Sequence, residues 1–188
     1  MSSLATLRLQ LVDLLNDKSV LVGDFELSSG EQSTYYIDAR ATTMSARGLD
    51  VIGRAGLEGV RQRGWSADAI GGLTLGADPV AYAIALASHG SPPKMDAFTV
   101  RKQLKEHGTQ RQIEGCLSQG STVVVVEDVI TTGCSAIQAI ESVRDLGCSV
   151  VGVLAVVDRL QGGVATIKAA GVEVFSLVTV DDLAIPSP

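Results

Sequence analysis

Glu127 and Asp128 stand side by side directly after four consecutive valines, Val123 to Val126. They are followed by Val129-Ile130 and then by Thr131-Thr132-Gly133-Cys134-Ser135. An unbroken apolar run of this kind suits a strand buried on both faces of a parallel sheet, here expected over residues 122–126. The small, hydroxyl-rich turn reads as the opening of a helix over residues 135–146, and free N–H groups at a helix start make an anion site. Open α/β sheets bind ligands at the carboxyl ends of their strands. Two adjacent carboxylates at a buried strand end repel one another unless something binds them. A strand delivering two carboxylates and then a phosphate cradle suits a ligand with hydroxyls, or a metal, together with a phosphate. A sugar phosphate has that combination.

A second group of chemically useful side chains, Arg101, Lys102, Lys105, His107 and Arg111, follows an expected strand over residues 95–100. Four of the chain's fifteen lysines and arginines fall within these eleven positions. The segment is polar and has no sustained apolar period, so it reads as a mobile loop. A charge run is ordinarily solvated surface. The whole chain carries a formal net charge of −6, however, and an anionic substrate needs local positive focusing where the overall field opposes it.

The order of apolar run, acidic pair, two apolar residues and Thr-Thr-Gly-x-Ser resembles the phosphoribosyl diphosphate (PRPP) signature of the type I phosphoribosyltransferases. Arg101-Lys102-x-x-Lys105-x-His107-Gly108 is similar to the catalytic loop of the orotate phosphoribosyltransferases. Three further stretches fit the same family. Residues 25–40 look like its amino-terminal Leu-x-Ser-Gly-x-x-Ser-x-x-Tyr segment, Gly71 to Pro79 resembles one of its two diphosphate-binding loops, and Val157-Asp158-Arg159 resembles the Asp-Arg after the next strand. The five matches occur in order and span nearly the whole chain.

The resemblance implies transfer of a phosphoribosyl group from PRPP to N1 of orotate, giving orotidine 5′-monophosphate and diphosphate, a step of pyrimidine nucleotide synthesis. It assigns Thr131, Thr132, Gly133, Cys134 and Ser135 to the 5′-phosphate of PRPP, Glu127 and Asp128 to the ribose hydroxyls, and Val129 and Ile130 to the PRPP site between them. Arg101, Lys102, Lys105 and His107 are implied at the diphosphate, with Lys105, His107, Arg101 and Asp128 as the catalytic set. Orotate would meet Thr131, Arg159, Tyr35 and Tyr36. A tyrosine in a half-buried strand is more often core, so one of that pair is expected to pack. The bland alternative for Arg159 is a surface ion pair. Mg²⁺ is the implied cofactor, held chiefly by substrate oxygens and water with no dedicated protein ligands. Relatives work as two-fold dimers whose basic loop covers the neighbour's PRPP site, which implies a homodimer here. Ser28, Glu31 and Gln32 stand where many relatives carry basic residues, and Leu75 stands where the other diphosphate loop has lysine. Contacts made by those side chains do not carry over.

These groups must be positioned by a fold. Valine-rich strands expected over 68–72, 95–100, 122–126, 150–157 and 172–180 alternate with helices over 79–88, 135–146 and 164–170. Such alternation gives an α/β parallel sheet flanked by helices. Before it come an amphipathic helix over residues 1–18 capped near Ser2 or Ser3, a hairpin (25–27 with 35–37) and a helix over 44–63. The expected architecture is a type I phosphoribosyltransferase-like sheet in one domain, residues 1–188, with residues 1–45 as a small hood. Hydrophobic residues make up 46% of the chain, and a mean hydropathy of +0.28 argues against disorder.

No apolar run reaches the ~18 residues that span a bilayer, and the start lacks a signal-peptide pattern, so no membrane partner is expected. Cys116, Cys134 and Cys148 form no Cys-x-x-Cys pair, which points to a reducing cytoplasm. His89 reads as a helix-end residue and Trp65 as packing. A purine or other pyrimidine phosphoribosyltransferase would share the Val123–Ser135 element but not obviously the basic loop or Asp158-Arg159. A PRPP-sensing, nucleic-acid-binding regulator would need a basic face or a helix-turn-helix; with a pI near 4.8 neither is visible, and no nucleic-acid partner is expected.

Overall fold

Leucines 4, 7, 11, 14 and 15 recur at helical spacing and form the buried face of α1 (Leu4–Lys18). This structure is a computed structural model and describes residues 3–26, 32–103 and 112–185. Ser3 caps α1, its hydroxyl accepting the Thr6 N–H at 3.2 Å. The chain then forms an antiparallel pair, β1 (Val20–Glu26) and β2 (Gln32–Ile37), with an irregularity between Val22 and Phe25. A short helix, α2 (Arg40–Thr43), precedes α3 (Ala46–Gln62), whose N-cap Ser45 accepts the Gly48 N–H. The buried Thr42 hydroxyl donates to the Leu14 carbonyl and meets the Ser19 hydroxyl at 2.7 Å. That contact ties α2 to the end of α1 and the start of the hairpin.

The remaining elements alternate around one sheet: β3 (Ala69–Leu73), α4 (Ala77–Ser88), β4 (Asp96–Val100), β5 (Ile113–Gly115), β6 (Thr122–Ile130), α5 (Cys134–Asp145), β7 (Ser149–Asp158), α6 (Gly163–Ala169) and β8 (Val174–Thr179). The strand order is β5-β4-β3-β6-β7-β8, parallel except for the β4–β5 edge pair. Period-two alternation splits the four valines between the faces. Val124 and Val126 pack in a core with α1, α3 and α4, whereas Val123 and Val125 pack with Ala136, Ala139, Ile140 and Val143 of α5. All four are fully buried. The central strand is therefore clamped from both sides, and its carboxyl end is held in place.

The chain departs from the sequence expectations at several boundaries. β6 does not stop at Val126 but runs through the acidic pair to Ile130, because β7 is long enough to keep pairing: Glu127 lies opposite Ala155 and Ile130 opposite Asp158. The hairpin strands begin earlier than expected, and α2 and the edge strand β5 were not anticipated at all. His89 is the C-cap of α4, and Trp65 is buried with its indole N–H donating to Glu173 at 3.3 Å.

Candidate active site

Because β6 stays paired through Ile130, it carries Glu127 and Asp128 to the sheet's carboxyl edge on a rigid support. Glu127 is only 7% exposed. Burial, reinforced by the charge of Asp128 and opposed by Lys102, raises its pKa to about 8. Asp128 is raised as well, chiefly by burial; the Val129 N–H that donates to it at 2.9 Å and the charge of Arg40 act against this. Gly76 lies directly against the Asp128 carboxylate, since a Cβ there would sit 2.5 Å from either oxygen. Two carboxyls held at a disadvantage in the free protein are poised for hydroxyl donors or positive charge.

Both carboxyls open into a cleft of about 930 Å³. Its walls include Tyr36, Asp38 and Arg40 from the β2–α2 region, the turn Thr74–Gly76 after β3, and Lys102 after β4. Thr131, Thr132, Ser135, Arg159 and Gln161 complete it. Beside it, residues 129–135 together with Glu127 line a small hollow of about 30 Å³. Gly133 there has φ +84°, a left-handed conformation, and α5 starts at the next residue, so its first N–H groups face this hollow's end of the helix. A Cβ on Gly133 would meet the Gly163 carbonyl at 2.8 Å. Glycine is thus needed for backbone conformation and for the close approach of α6, whose Gly163 N–H donates to the Thr131 carbonyl at 2.9 Å.

Arg159 follows β7 in a turn where the Asp158 carboxylate accepts the Leu160 N–H at 2.8 Å. Its side chain is 9% exposed, and its guanidinium lies 5.2 Å over the Tyr35 ring. Among the described residues its buried Nε has no hydrogen-bond partner. A surface ion pair is therefore not what this residue makes. Of the two tyrosines, Tyr36 lines the cleft and Tyr35 packs against the core beneath Arg159.

The basic segment divides. Lys102 lines the cleft, and its carbonyl accepts from Gln138 at 3.2 Å. Arg101 points elsewhere: its Nε donates to Glu114 on β5 at 3.2 Å, and it is not on the cleft wall. Lys105, His107 and Arg111 lie outside the described residues, as do Ser28 and Glu31. The sequence reading missed Asp38 and Arg40, which form a two-pronged pair (2.8 and 3.2 Å) on the cleft wall and hold the Asp38 carboxyl below its usual range. The Asp-x-Arg after the tyrosine pair was the available signal. Thr74 and Gly76 belong to the Gly71–Pro79 stretch already likened to a diphosphate-binding loop, and they do line the cleft; Gln161 was not singled out.

Comparison with known proteins fits this geometry. A model of the Phosphoribosyl transferase domain matches residues 47–182. The chain is 45% identical over 179 residues to the orotate phosphoribosyltransferase of Aquifex aeolicus, covering 94% of this chain and 97% of the other. It is 47% identical over 178 residues to that of Mycobacterium leprae, covering 95% and 97%. Among solved structures it is similar to Mycobacterium tuberculosis orotate phosphoribosyltransferase in complex with Fe(III) dicitrate, with 44% identity and a TM-score of 0.85, covering 95% of this chain and 99% of that one. The same enzyme in complex with PRPP gives 37% identity and a TM-score of 0.77, covering 95% and 92%.

Proposed function

The chain belongs to the phosphoribosyl transferase domain family, among its orotate phosphoribosyltransferases, and from that premise we propose how its own residues carry the reaction. The reaction transfers the 5-phosphoribosyl group of PRPP to N1 of orotate, releasing diphosphate. The 5′-phosphate sits in the hollow at Thr131–Ser135, bound by backbone N–H groups and hydroxyls. Glu127 and Asp128 accept the ribose 2′ and 3′ hydroxyls. As the bond to diphosphate breaks, positive charge grows on the ribose ring, and the buried carboxylates stabilise it with little reorganisation. No protein nucleophile is needed; positioning and charge do the work.

Orotate is an anionic, planar ring, and Arg159 is the observation that carries this assignment. A buried guanidinium with an unpartnered Nε beside the cleft matches a carboxylate or carbonyl edge, with Tyr36 alongside and Thr131 across. Glu127 and Asp128 also fit a magnesium ion carried by the substrate, because Mg²⁺ commonly takes one or two carboxylates together with phosphate oxygens, and among the described residues the charges of Lys102 and Arg40 do not offset the burial of this pair. When bound, it would neutralise the leaving diphosphate. The diphosphate rests against the Thr74–Gly76 turn, Lys102 and Arg40, and Lys105 and His107 are the further groups proposed to contact it. Residues 1–45 act as a hood within a single domain. No described helix is long and apolar enough to cross a membrane, and the free cysteines suit the proposed cytoplasmic location.

We further propose a homodimer in which the basic loop serves the neighbouring site. Arg101 faces away from its own cleft while Lys102 faces into it, and a mainly apolar groove lies open between α3 and α4, lined by Leu49, Tyr82 and Leu86 among others. Loss of orotate absorbance on mixing protein with PRPP, Mg²⁺ and orotate tests the reaction directly; no loss, with both ligands bound, would overturn it.

Arg159→Ala is expected to lower kcat/KM for orotate by about 1.5–3 kcal/mol, the range for losing a charged hydrogen bond, while PRPP affinity hardly moves. Steady-state kinetics with each substrate varied decides the matter, because equal damage to both would make Arg159 a structural residue. The exposed Cys134, which accepts from the Thr132 hydroxyl at 3.3 Å at the mouth of the phosphate hollow, supplies another test. Thiol alkylation should inactivate the enzyme and PRPP should protect it. Cys134→Ser should keep activity and lose the sensitivity; a Cys134→Ser enzyme inactivated as fast as before would move the effect to another thiol, such as exposed Cys116.

A further inference from the structure

We infer that Asp78, in the first turn of α4, is a positioning residue that locks the leaving-group turn to the base of the basic segment. One carboxylate oxygen accepts from the Thr74 hydroxyl at 2.8 Å, and the other accepts from the Thr99 hydroxyl at 2.8 Å. Thr74 opens the turn Thr74–Gly76, and Thr99 is the penultimate residue of β4, two positions before Arg101. The backbone repeats the tie, since the Thr74 N–H donates to the Val100 carbonyl at 2.8 Å. Tyr82 extends the chain, its hydroxyl lying 3.1 Å from that of Thr99. The Thr99 proton is already given to Asp78, so Tyr82 must donate to Thr99.

This arrangement uses both oxygens of Asp78 on neighbouring side chains, which makes it a spacer between two elements and not a group that touches substrate. A carboxylate in the first turn of a helix also favours the helix dipole, and that ordinary role would account for stability alone. It would not explain why the two hydroxyls it grips belong to the turn and to the strand end that frame one side of the cleft. With the tie in place, the turn and Lys102 keep a fixed separation. Without it, the turn can swing while the sheet beneath stays intact, because the Val100 carbonyl holds only the backbone of Thr74.

The inference rests on the proposed reading of the Thr74–Gly76 turn as the resting place of diphosphate. Steady-state kinetics of Asp78→Ala, Asp78→Asn and Thr99→Val, with diphosphate as product inhibitor, would test it. Asp78→Ala should raise the PRPP KM and the diphosphate inhibition constant together by about tenfold, the loss expected for hydrogen bonds to a charged group, with the orotate KM nearly unchanged. Asp78→Asn should recover most of this, because an amide accepts from one threonine and donates to the other. Thr99→Val should reproduce part of the effect, and it carries the test if Asp78→Ala does not fold. A uniform decline in both substrates' kinetics with a fall in melting temperature, or an unchanged diphosphate constant, would overturn the role. Leu75→Glu, placing a negative charge on the exposed turn residue, separates the two readings. If it leaves the diphosphate constant unchanged, the turn does not hold diphosphate and both fall. If it weakens diphosphate while Asp78→Ala and Thr99→Val do not, only the tie through Asp78 is lost.

Discussion

Replacing Glu127 by Gln and Asp128 by Asn together should make the protein more stable at pH 8 and nearly inactive. Both carboxyls are raised in the folded protein, Glu127 from 4.5 to about 8 by burial and by its acidic neighbour. A raised carboxyl means that the folded state holds a proton that the unfolded chain has already released. The stability contributed by neutral Glu127 is therefore fully present below about 4.5 and is lost as pH rises through about 8. At ~1.4 kcal/mol per pH unit, that interval sets a ceiling of about 5 kcal/mol, which relaxation and water entry will reduce. The amide pair removes this penalty, so wild-type melting temperature should fall between pH 5 and 8 while that of the variant stays flatter. Catalysis moves the other way. An amide cannot become the anion that accepts ribose hydroxyls or favours a cationic ring, and kcat/KM for PRPP should drop by about 10²–10³-fold, the scale for losing preorganised charge stabilisation. Melting curves across that pH range and turnover at pH 8 read both effects. A variant less stable than wild type at pH 8 would mean that the carboxyls serve the fold.

The same pair shows what was legible in the sequence. Val123 to Val126 announced a buried strand, and the acidic pair before a small-residue turn announced a strand end that opens on a cleft. The strand's true end was hidden, because two carboxylates look like a solvated terminus, and only the length of β7 keeps Glu127 through Ile130 in the ladder. β5 is three residues long and lies antiparallel on the sheet edge, so no apolar run marks it. Arg159 could have been a surface ion pair on sequence grounds; its burial over Tyr35 depends on packing between residues 124 positions apart. The contact of Gly163 with Gly133 likewise depends on which elements meet. Of the motifs that carry the family resemblance, the acidic pair, the Gly71–Pro79 stretch and Asp158-Arg159 sit at or after the carboxyl ends of β6, β3 and β7. The groups joining those strand ends are constrained only by one another.

Lys105→Ala and Gly133→Val chains should each be nearly inactive alone, and mixing them should restore activity. Valine at 133 must adopt a left-handed φ that a β-branched residue strongly disfavours. Its Cβ would also press on the Gly163 carbonyl. The turn must therefore be reshaped, and the 5′-phosphate loses its N–H cradle. Gly133 lies in the turn after β6 has ended at Ile130 and outside every strand, so the sheet should persist while PRPP binding is lost. Lys105→Ala leaves the phosphate turn whole but removes a cation proposed to reach the neighbour's diphosphate. In a heterodimer of the two chains, the Lys105→Ala subunit supplies an intact phosphate turn and receives an intact loop from its Gly133→Val partner. The other site is doubly defective. With equal amounts and free exchange, half the dimers are mixed and half of their sites are complete, so about a quarter of wild-type activity should return under two-fold symmetry. The open, mainly apolar groove between α3 and α4 offers such a dimer a contact face. Native mass spectrometry would verify exchange before the assay. Heterodimers seen in quantity with no recovered activity would show that the loop closes over its own subunit, and the trans-acting role would have to be given up.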